Sequence, residues 1–484
     1  MSSPSPLDPA ALTSDQRAAA EGFAAWLAEA PRGEPFVLSG YAGTGKTFLS
    51  MRMLALAEAA GLCWTVVAPT HKAVGVLRAH LQLAGLRPTW FPSTIHRLLR
   101  LKLKRQGDVE RCEETVQTAG SLEHLGLVLI DEASMVDSTL LEITLRCAHP
   151  FSTRLVFVGD PAQLPPVGEP RSPVFALGRC RRADLHHVVR HQGPVLRLAS
   201  GIRSQHLPCR PPPPLAPVRT AQGMVAALDR DAWLRAAQEA LRRSAEADNP
   251  DLARLLCYTN RSLERLVPIA RRALHGAMAD QLPVLPGEVL ITRAAVMAPA
   301  CREGADAGEE PDMVLGSNRE VVVRDVTPER CDLADFGVEG DLLPIDTLTA
   351  SVDTGETGLA LRLLPPIGSA GRGQLEAVLQ RLREQARAAG RQDGRPLWRR
   401  FFLVRDAFAS LGPAAVLSVH RSQGSSFGEV FVDADVFWPR EEELRRQLVY
   451  VAVSRARTAV TLVGSAPSRA DHDRWRQWLA GEPG

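Results

Sequence analysis

The stretch Gly40-Tyr41-Ala42-Gly43-Thr44-Gly45-Lys46-Thr47 has the spacing G-x-x-x-x-G-K-T and separates two regions of different pattern. The apolar run Phe36-Val37-Leu38 before it predicts a short buried strand, and residues 49–60, rich in Ala, Leu and Met, predict a helix after it. Glycines let successive backbone N–H groups turn toward an anion, and the N-terminus of a helix adds partial positive charge. The stretch therefore predicts a phosphate-binding loop in an α/β fold.

The side chains of this loop predict a site for a nucleoside triphosphate with Mg²⁺. The lysine can reach the β- and γ-phosphates, and the hydroxyl of the threonine that follows it can hold the metal ion. The alternative is a glycine-rich turn that binds nothing, and the complete match between a strand and a helix disfavours it. The loop residues expected to contact the nucleotide are Gly40, Gly43, Thr44, Gly45, Lys46 and Thr47.

Composition limits the class of protein. A chain of 484 residues, 45% hydrophobic and 23% charged, is typical of a soluble globular protein with about three domains. No run approaches the roughly 18 apolar residues of a membrane span. The eight cysteines include no C-x-x-C pair, which argues against a zinc ribbon or an iron–sulfur cluster. The net charge of +2 argues against a uniformly basic surface but permits a basic groove.

Polar residues follow three further predicted strands at the point where each strand ends. Residues 64–68 lead into Pro69-Thr70-His71-Lys72, residues 127–130 into Asp131-Glu132, and residues 155–158 into Gly159-Asp160-Pro161-Ala162-Gln163. The carboxyl ends of parallel strands share one edge of a sheet, where ligands bind. We expect Asp131 to bind Mg²⁺, Glu132 to orient and deprotonate the attacking water, and Gln163 to sense the γ-phosphate.

The first predicted helix, residues 16–29, leaves two interpretations of Gln16 open. Thr13 and Gln16 have the T-x-x-Q spacing of a capping box, which is a purely structural role. Gln16 can instead contact the adenine edge of the nucleotide, and the cap and the base contact are compatible with each other.

Residues 97–105 carry five cations, and the pattern from residue 101 predicts a hairpin that turns at residues 106–108 and returns over residues 109–116. Such a basic hairpin could touch a nucleic-acid backbone or be a solvated surface feature. Residues 101–116 contain no Phe, Tyr or Trp, so no base-stacking aromatic wedge is available there.

The second half of the chain has a different pattern. The proline cluster at residues 211–214 predicts a stiff connector over residues 201–217. Short strands punctuated by Gly and Asp are predicted between about residues 281 and 393, with a charged helix over residues 374–389. A second helix is predicted over residues 398–411, and residues 301–311 predict a mobile acidic loop.

The order of these motifs resembles the superfamily 1 helicases, in particular the 5′-to-3′ branch (1B) of Dda-type and RecD-type enzymes. Later stretches narrow the resemblance: Val189-Arg190-His191-Gln192, Tyr258-Thr259-Asn260, Ser418-Val419-His420-Arg421-Ser422-Gln423-Gly424 and Tyr450-Val451-Ala452-Val453-Ser454-Arg455-Ala456-Arg457. The resemblance extends from about residue 12 to residue 464 and is weak between about residues 297 and 395.

This resemblance implies a DNA-stimulated ATPase that translocates 5′-to-3′ on single-stranded DNA and unwinds duplex. Arg190 and Arg455 match the arginines that reach the γ-phosphate from the second motor domain, with Arg457 as the alternative to Arg455, and Gly424 matches a nucleotide-binding position. The positions that match the family's grip on single-stranded DNA are Thr70, His71, Lys72, Thr94, His96, Asn260, Ser418 and His420.

The implied architecture is α/β, with two RecA-like motor domains on parallel sheets and two small insertions. The expected divisions are a disordered lead (1–11), motor domain 1A (12–96 and 121–180), hairpin insertion 1B (97–120), motor domain 2A (181–280 and 397–484) and SH3-like insertion 2B (281–396). We expect a cytoplasmic, nucleoid-associated monomer. Its expected partners are single-stranded DNA, single-strand/duplex junctions, and single-strand-binding, replication or repair proteins.

Two other functions stay open at the level of sequence. One is a nucleic-acid-stimulated ATPase that remodels without efficient unwinding, which the aromatic-free hairpin favours. The other is an RNA helicase of the same superfamily, which differs in the nucleic acid that stimulates hydrolysis.

Overall fold

The computed structural model describes residues 12–29, 33–106, 109–187, 193–298, 313–340, 342–355, 357–465 and 469–481. The chain divides into two compact units. The first comprises Met1–Lys102, Glu114–Leu266 and Val416–Gly484, and the second comprises Leu103–Glu113 and Val267–Ala415.

The first unit contains a sheet of six parallel strands in the order β3-β2-β6-β7-β1-β8. Its central strands are apolar and buried along their whole length, as expected for a parallel sheet covered on both faces. The strands are β1 (Phe36–Gly40), β2 (Trp64–Ala68), β3 (Ser93–Thr94), β6 (Leu127–Ile130), β7 (Arg154–Gly159) and β8 (Arg181–Leu185).

Strand β8 lies beyond residue 180, where we expected the first motor domain to end. It pairs with β1 over five residues, from Phe36 opposite Arg181 to Gly40 opposite Leu185. The first sheet therefore extends at least to Leu185.

Two hydrophobic cores cover the two faces of this sheet. Along β1, Phe36 and Leu38 pack in one core and Val37 in the other, which is the alternation of a strand buried on both sides. The helices of this part of the unit are α1 (Ser14–Glu29), α2 (Lys46–Ala59), α3 (His71–Ala84), α4 (Ile95–Leu98) and α5 (Ser138–Ala148).

A second six-stranded sheet in the first unit has the order β19-β11-β20-β21-β10-β9. All of its pairs are parallel except β9 with β10 at one edge. Its strands are β9 (Leu215–Thr220), β10 (Gly223–Leu228), β11 (Ala253–Cys257), β19 (Val416–Ser418), β20 (Phe427–Val432) and β21 (Ala456–Val463). The helices in sequence around them are α6 (Pro194–Arg203), α7 (Arg230–Glu246), α8 (Asn260–His275), α12 (Glu442–Ser454) and α13 (Arg469–Ala480). Two parallel sheets confirm the predicted fold class.

The connector predicted over residues 201–217 is wrong at both ends. Helix α6 continues to Arg203, and β9 begins at Leu215. The prolines at 211–214 do lie outside regular structure, as their missing N–H groups require. Pro217 is tolerated within β9 because that strand is at the sheet edge.

The second unit contains a five-stranded antiparallel sheet in the order β17-β16-β15-β12-β18, and two separate two-stranded ribbons. Its strands are β4 (Lys102–Gln106), β5 (Val109–Glu113), β12 (Val289–Thr292), β13 (Val296–Met297), β14 (Met313–Leu315), β15 (Glu320–Cys331), β16 (Ile345–Asp353), β17 (Gly358–Arg362) and β18 (Leu411–Pro413). Its helices are α9 (Met278–Gln281), α10 (Ala370–Ala388) and α11 (Gly390–Asp406).

Helix α11 departs from the prediction over residues 398–411. It begins at Gly390 and ends at Asp406, because Leu411 is taken into β18 and pairs with Thr292 of β12. Phe401 and Phe402 of α11 pack with Leu375 and Val378 of α10 in a core of their own. Strand pairing thus ends the helix earlier than the apolar pattern indicated.

Three predictions lie outside the described residues: the lead at 1–11, the motif at 189–192 and the acidic loop at 301–311. Of the turn predicted at residues 106–108, only residue 106 is described, and it ends β4. Within the described ranges, no helix combines the length and the apolar run needed to cross a bilayer.

Candidate nucleotide and nucleic-acid site

The three strand ends that carry the predicted catalytic residues are neighbours in the first sheet. Strands β6, β7 and β1 are adjacent and parallel, so residues 131–132, 160–163 and 40–47 meet at one edge. The strand ends of β2 and β3, beside β6, carry the predicted nucleic-acid residues of this sheet. One sheet edge therefore contains both sets of residues.

The loop between β1 and α2 has the backbone that its glycines allow. Gly43 and Gly45 have φ angles of +85° and +82°, in the left-handed region. At Gly40 a Cβ atom would lie 2.6 Å from the Thr44 hydroxyl oxygen. The Lys46 ammonium donates to the carbonyls of Gly40 at 2.7 Å and Tyr41 at 3.2 Å. The loop is therefore closed over the start of α2, where Lys46 and Thr47 are the first two residues.

Gln16 makes the cap and a loop contact at once. Its Oε1 accepts from the Thr13 N–H at 3.1 Å, and its own N–H donates to the Thr13 hydroxyl at 3.3 Å, completing a capping box. Its Nε2 donates to the Thr44 carbonyl at 2.9 Å. The side chain is 2% exposed. Helix α1 is thereby tied to the phosphate-binding loop.

Asp131 and Glu132 place two carboxylates directly after β6. Burial and the charge of Glu132 raise the pKa of Asp131 to about 7. The Glu132 N–H, which donates to the Asp131 carboxylate at 2.9 Å, and the charge of Lys46 lower the pKa by a smaller amount. Glu132 has a φ of +53°, unusual for a residue with a side chain and a form of strain found at functional sites. The hydroxyl of Thr47 and the carboxylate of Asp131 are hard oxygen donors, so the residues fit Mg²⁺.

The loop after β7 is stabilised by a hydrogen bond within the loop and by one from helix α12. Asp160 is fully buried, and its carboxylate accepts from the Ala162 N–H at 2.9 Å and from the Tyr450 hydroxyl at 2.6 Å. Gln163 is 6% exposed, and its Oε1 has no hydrogen-bond partner in the part of the chain that the structure describes. A buried acceptor of this kind is a position that a water or a ligand can complete.

The two predicted arginine positions have different outcomes. Arg190 lies outside the described residues. Arg455, at the end of α12, is buried and donates to the carbonyls of Val451 and Ser425, both at 3.2 Å, and to the Ser454 hydroxyl at 3.0 Å. Its guanidinium is therefore bonded to residues around the second sheet. The alternative, Arg457, is exposed and donates to the Ser426 carbonyl at 3.1 Å.

The nucleic-acid candidates of the first sheet lie at helix starts. Thr70 and Thr94 cap α3 and α4, accepting from the N–H groups of Ala73 and Arg97 at 3.3 Å. His71 and Lys72 are the first two residues of α3. Lys72 lies 3.5 Å from the Asp251 carboxylate and 4.8 Å from the ring centroid of Phe427.

His96 lies in the short helix α4 and is largely enclosed. Burial lowers its pKa, and the nearby charge of Asp137 opposes this effect. The imidazole is therefore neutral at pH 7 and can donate a hydrogen bond without adding charge.

The candidates of the second sheet also meet at neighbouring strand ends. Strands β11 and β19 are adjacent, so Asn260, at the start of α8, lies near Ser418 and His420. The ring of His420 lies 6.0 Å from that of Tyr258, and burial lowers its pKa. Each sheet thus contributes one cluster of polar side chains at its carboxyl edge, and that of the first sheet includes the charged Lys72.

Gly424, which we expected to bind nucleotide, lies beside the nucleic-acid candidates. It has a φ of +71°, and a Cβ atom there would be 3.2 Å from both the Thr70 hydroxyl and the Ala73 Cβ. The neighbouring Gln423 donates from Nε2 to the Leu164 carbonyl at 3.2 Å. This segment joins the second sheet to the first.

Four contacting residues were missing from the predicted site. Three of them lie inside the quoted motifs: Tyr450, Gln423 and Asp160. The sequence therefore indicates their positions but not their hydrogen-bond partners. The fourth, Asp435, lies outside all of the quoted motifs. It is fully buried and accepts from the N–H groups of Tyr258 and Thr259, both at 2.8 Å, which holds the strand end before Asn260.

Comparison with known proteins shows which proteins the chain is similar to. Residues 11–207 match the model of an AAA domain, and residues 413–463 match that of the UvrD-like helicase C-terminal domain. The ATP-dependent DNA helicase dda of Enterobacteria phage T4 is 24% identical over 433 residues, covering 88% of this chain and 93% of that protein. The chain is thus similar to superfamily 1 helicases over most of its length.

A second protein similar to this chain is the RecBCD enzyme subunit RecD of Mycobacterium tuberculosis. It is 28% identical over 458 residues, covering 89% of the chain and 67% of that protein. The chain is also similar to the solved structure of Pif1 helicase from Bacteroides in complex with ADP-AlF3 and ssDNA. The match covers 97% of this chain and 98% of that one, with 14% sequence identity and a TM-score of 0.46. These similarities confirm both the predicted resemblance and the predicted enzyme class, an ATP-hydrolysing DNA helicase.

Proposed function

We propose that this protein uses ATP hydrolysis to move 5′-to-3′ along single-stranded DNA and to unwind duplex at single-strand/duplex junctions. The observation that carries the proposal is the shared carboxyl edge of the first sheet. There the loop 40–47, the Asp131-Glu132 pair and Gln163 lie on strands next to those that carry Thr70 and Thr94. The motifs that resemble the 5′-to-3′ branch support the direction.

The nucleotide half of the proposal assigns a task to each residue of the loop edge. Backbone N–H groups of residues 43–47 and the Lys46 ammonium bind the phosphates, which requires Lys46 to leave the carbonyls of Gly40 and Tyr41. Thr47 and Asp131 hold Mg²⁺, which neutralises charge on the phosphates. Glu132 accepts the proton of the attacking water, and Gln163 contacts the γ-phosphate or that water.

Arginines from the second motor domain complete the proposed ATP site. Arg190 and Arg455 stabilise the charge of the transferring phosphoryl group, a contribution on the order of 10³–10⁵ in rate for such residues. Arg455 has to release the carbonyls of Val451 and Ser425 to do so. Hydrolysis then depends on closure of the second motor domain on the first, and repeated closure moves the DNA.

The DNA half of the proposal uses the two clusters of polar side chains at the carboxyl edges of the two sheets. Hydroxyls, amides and neutral imidazoles bind phosphate oxygens without reading the bases, which suits a translocating enzyme. The residues proposed for this grip are Thr70, His71, Lys72, Thr94, His96, Asn260, Ser418 and His420. We propose Gly424 as a close contact between the motor domains beside this grip rather than as a nucleotide ligand.

The proposed domain architecture keeps the predicted order with one revised boundary. Motor domain 1A includes β8 and so extends to about residue 185, and motor domain 2A begins after it. The hairpin of β4 and β5 is insertion 1B, and the five-stranded sheet with α10 and α11 is insertion 2B. We propose that the protein acts as a cytoplasmic, nucleoid-associated monomer together with single-strand-binding, replication or repair proteins.

The experiment that tests this function measures steady-state ATP hydrolysis with no nucleic acid, with single-stranded DNA and with single-stranded RNA of the same sequence. We expect DNA to stimulate hydrolysis more than RNA does. Greater stimulation by RNA would replace the proposal with an RNA helicase, and no stimulation by either would contradict it.

A further inference from the structure

One buried hydroxyl joins three segments of the first unit. The Tyr450 hydroxyl accepts a hydrogen bond from the Ala42 N–H at 2.8 Å and donates one to the Asp160 carboxylate at 2.6 Å. Ala42 belongs to the phosphate-binding loop, Asp160 begins the loop that carries Gln163, and Tyr450 lies on α12 beside the second sheet. The side chain of Tyr450 is 2% exposed and that of Asp160 is 0% exposed.

The hydroxyl is not needed to fill space. A phenylalanine ring has nearly the same shape, so packing alone does not explain a phenol here. A buried hydroxyl is costly unless its hydrogen-bonding capacity is used, and this one uses both its proton and a lone pair. Without it, a carboxylate oxygen of Asp160 and the N–H of Ala42 would both lose a partner.

The same helix leads directly to Arg455. Helix α12 ends at Ser454, and the Arg455 Nε donates to the carbonyl of Val451, the residue after Tyr450. The last turn of α12 therefore holds the arginine and the hydroxyl in one hydrogen-bonded segment. A shift of the Ala42 backbone on phosphate binding would be passed to this segment through Tyr450.

A second contact supports the same connection. The guanidinium of Arg203, the last residue of α6, lies 3.4 Å from the ring centroid of Tyr41, the residue before Ala42. This is within the distance of a cation–π interaction. Two helices beside the second sheet thus contact consecutive residues of the phosphate-binding loop.

We infer that Tyr450 is a positioning residue that couples the phosphate-binding loop to Arg455, so that its hydroxyl controls the DNA-stimulated rate of ATP hydrolysis and not the basal rate. This inference rests on the proposed function. It requires that Tyr450 stays protonated, and burial beside the Asp160 charge holds its pKa well above the usual value.

The test compares wild-type protein with Tyr450→Phe in steady-state ATPase assays, with and without single-stranded DNA. We expect the DNA-stimulated kcat to fall about tenfold or more. We expect the DNA-free kcat to change by less than about threefold. The KM for ATP should rise by no more than about tenfold, as for the loss of one other hydrogen bond of this loop. A general folding defect would instead lower both rates in proportion.

Two more variants complete the test: Asp160→Asn and the double variant Tyr450→Phe/Asp160→Asn. If Tyr450→Phe does not fold, Asp160→Asn alone still tests the hydrogen bond. We expect Asp160→Asn to lower the stimulated kcat as well. The double variant should be little worse than either single variant, since both substitutions disrupt the same Tyr450–Asp160 hydrogen bond. Fully additive effects would overturn the inference.

Two further outcomes distinguish this inference from the proposed function. A Tyr450→Phe protein with the wild-type ratio of stimulated to basal rate would overturn the inference alone. A wild-type ATPase that does not respond to DNA would overturn the proposed function and the inference with it.

Discussion

The Nε2 of Gln16 donates a hydrogen bond of 2.9 Å to the backbone carbonyl of Thr44. The same side chain caps helix α1, because its Oε1 accepts from the Thr13 N–H. One amide group therefore serves the helix with its oxygen and the phosphate-binding loop with its nitrogen. The predicted contact of Gln16 with the adenine edge stays a prediction.

Gln16→Ala should raise the KM for ATP by about three- to tenfold, because the loop loses a hydrogen bond worth about 1 kcal/mol. The matched control is Thr13→Ala, which removes the hydroxyl side of the capping box and leaves the Gln16–Thr44 contact in place. We expect the control to lower the thermal midpoint but to leave KM unchanged. Equal changes in KM for both variants would show that Gln16 acts only through the helix.

Lys46→Ala should abolish ATP hydrolysis, and Glu132→Gln should bind ATP but hydrolyse it about 10² or more times slower. The first change removes the phosphate-binding charge, and the second removes the proposed general base while keeping its shape. Binding of a fluorescent ATP analogue and single-turnover hydrolysis measure the two effects separately. DNA-stimulated turnover in Lys46→Ala would refute the ATP site, and normal turnover in Glu132→Gln would mean that another base acts.

Asp15→Asn should lower the free energy of unfolding at neutral pH by roughly 1 kcal/mol. Burial, the largest influence, raises the pKa of Asp15, but the N–H groups of His187 and His186 and the Thr13 hydroxyl together outweigh it. The net pKa lies well below the usual 3.8. The stabilisation is therefore complete above that value and is lost as the pH falls through the depressed pKa of the folded state.

Denaturant unfolding of wild type and Asp15→Asn at pH 7 and at several values below 4 checks this expectation. The difference between the two proteins should shrink as the solution becomes more acid. A difference that stays constant over that range would exclude the charged carboxylate as its cause.

Glu288→Ala should destabilise the second unit by about 3–5 kcal/mol, because it leaves the Arg271 guanidinium buried without its carboxylate. The side chain of Glu288 is 2% exposed and that of Arg271 is 11% exposed. They form a bidentate ion pair with N–O distances of 2.7 and 3.1 Å. Asp346→Ala is the control, since it removes an exposed pair with Arg330. We expect it to cost less than about 1 kcal/mol. Thermal unfolding midpoints that fall equally would contradict the role of burial.

His420→Asn should weaken single-stranded DNA binding at pH 7.5 without changing its salt dependence. Burial lowers the pKa of this imidazole, so it binds as a neutral donor and releases no counterion. Lys72→Ala should instead reduce the slope of log K against log salt by about 0.7. Fluorescence anisotropy titrations at several salt concentrations measure both slopes. A reduced slope for His420→Asn would mean that the histidine is charged in the complex.

The elements best predicted from sequence were those with strong local patterns. The strand–loop–helix around residues 36–60 is confirmed because its apolar run, its glycines and its helix formers all indicate the same structure. The capping box at Thr13 is confirmed for the same reason.

Elements that depend on distant pairing were predicted less well. Strand β8 is mostly polar, and its place in the first sheet comes from pairing with β1 about 145 positions earlier. The end of α11 was misplaced because Leu411 pairs with Thr292. Likewise, the motif around Tyr450 was visible in the sequence, but the contacts of its hydroxyl with Ala42 and Asp160 required the fold.

The most direct measurement of the proposed function compares unwinding of three duplexes in the presence of ATP: one with a single-stranded 5′ tail, one with a 3′ tail and one blunt. We predict that the 5′-tailed duplex is separated, that the other two are not, and that Lys46→Ala separates none. Separation of only the 3′-tailed duplex would contradict the direction. ATP hydrolysis stimulated by DNA with no strand separation on any duplex would contradict the helicase and leave a remodelling ATPase.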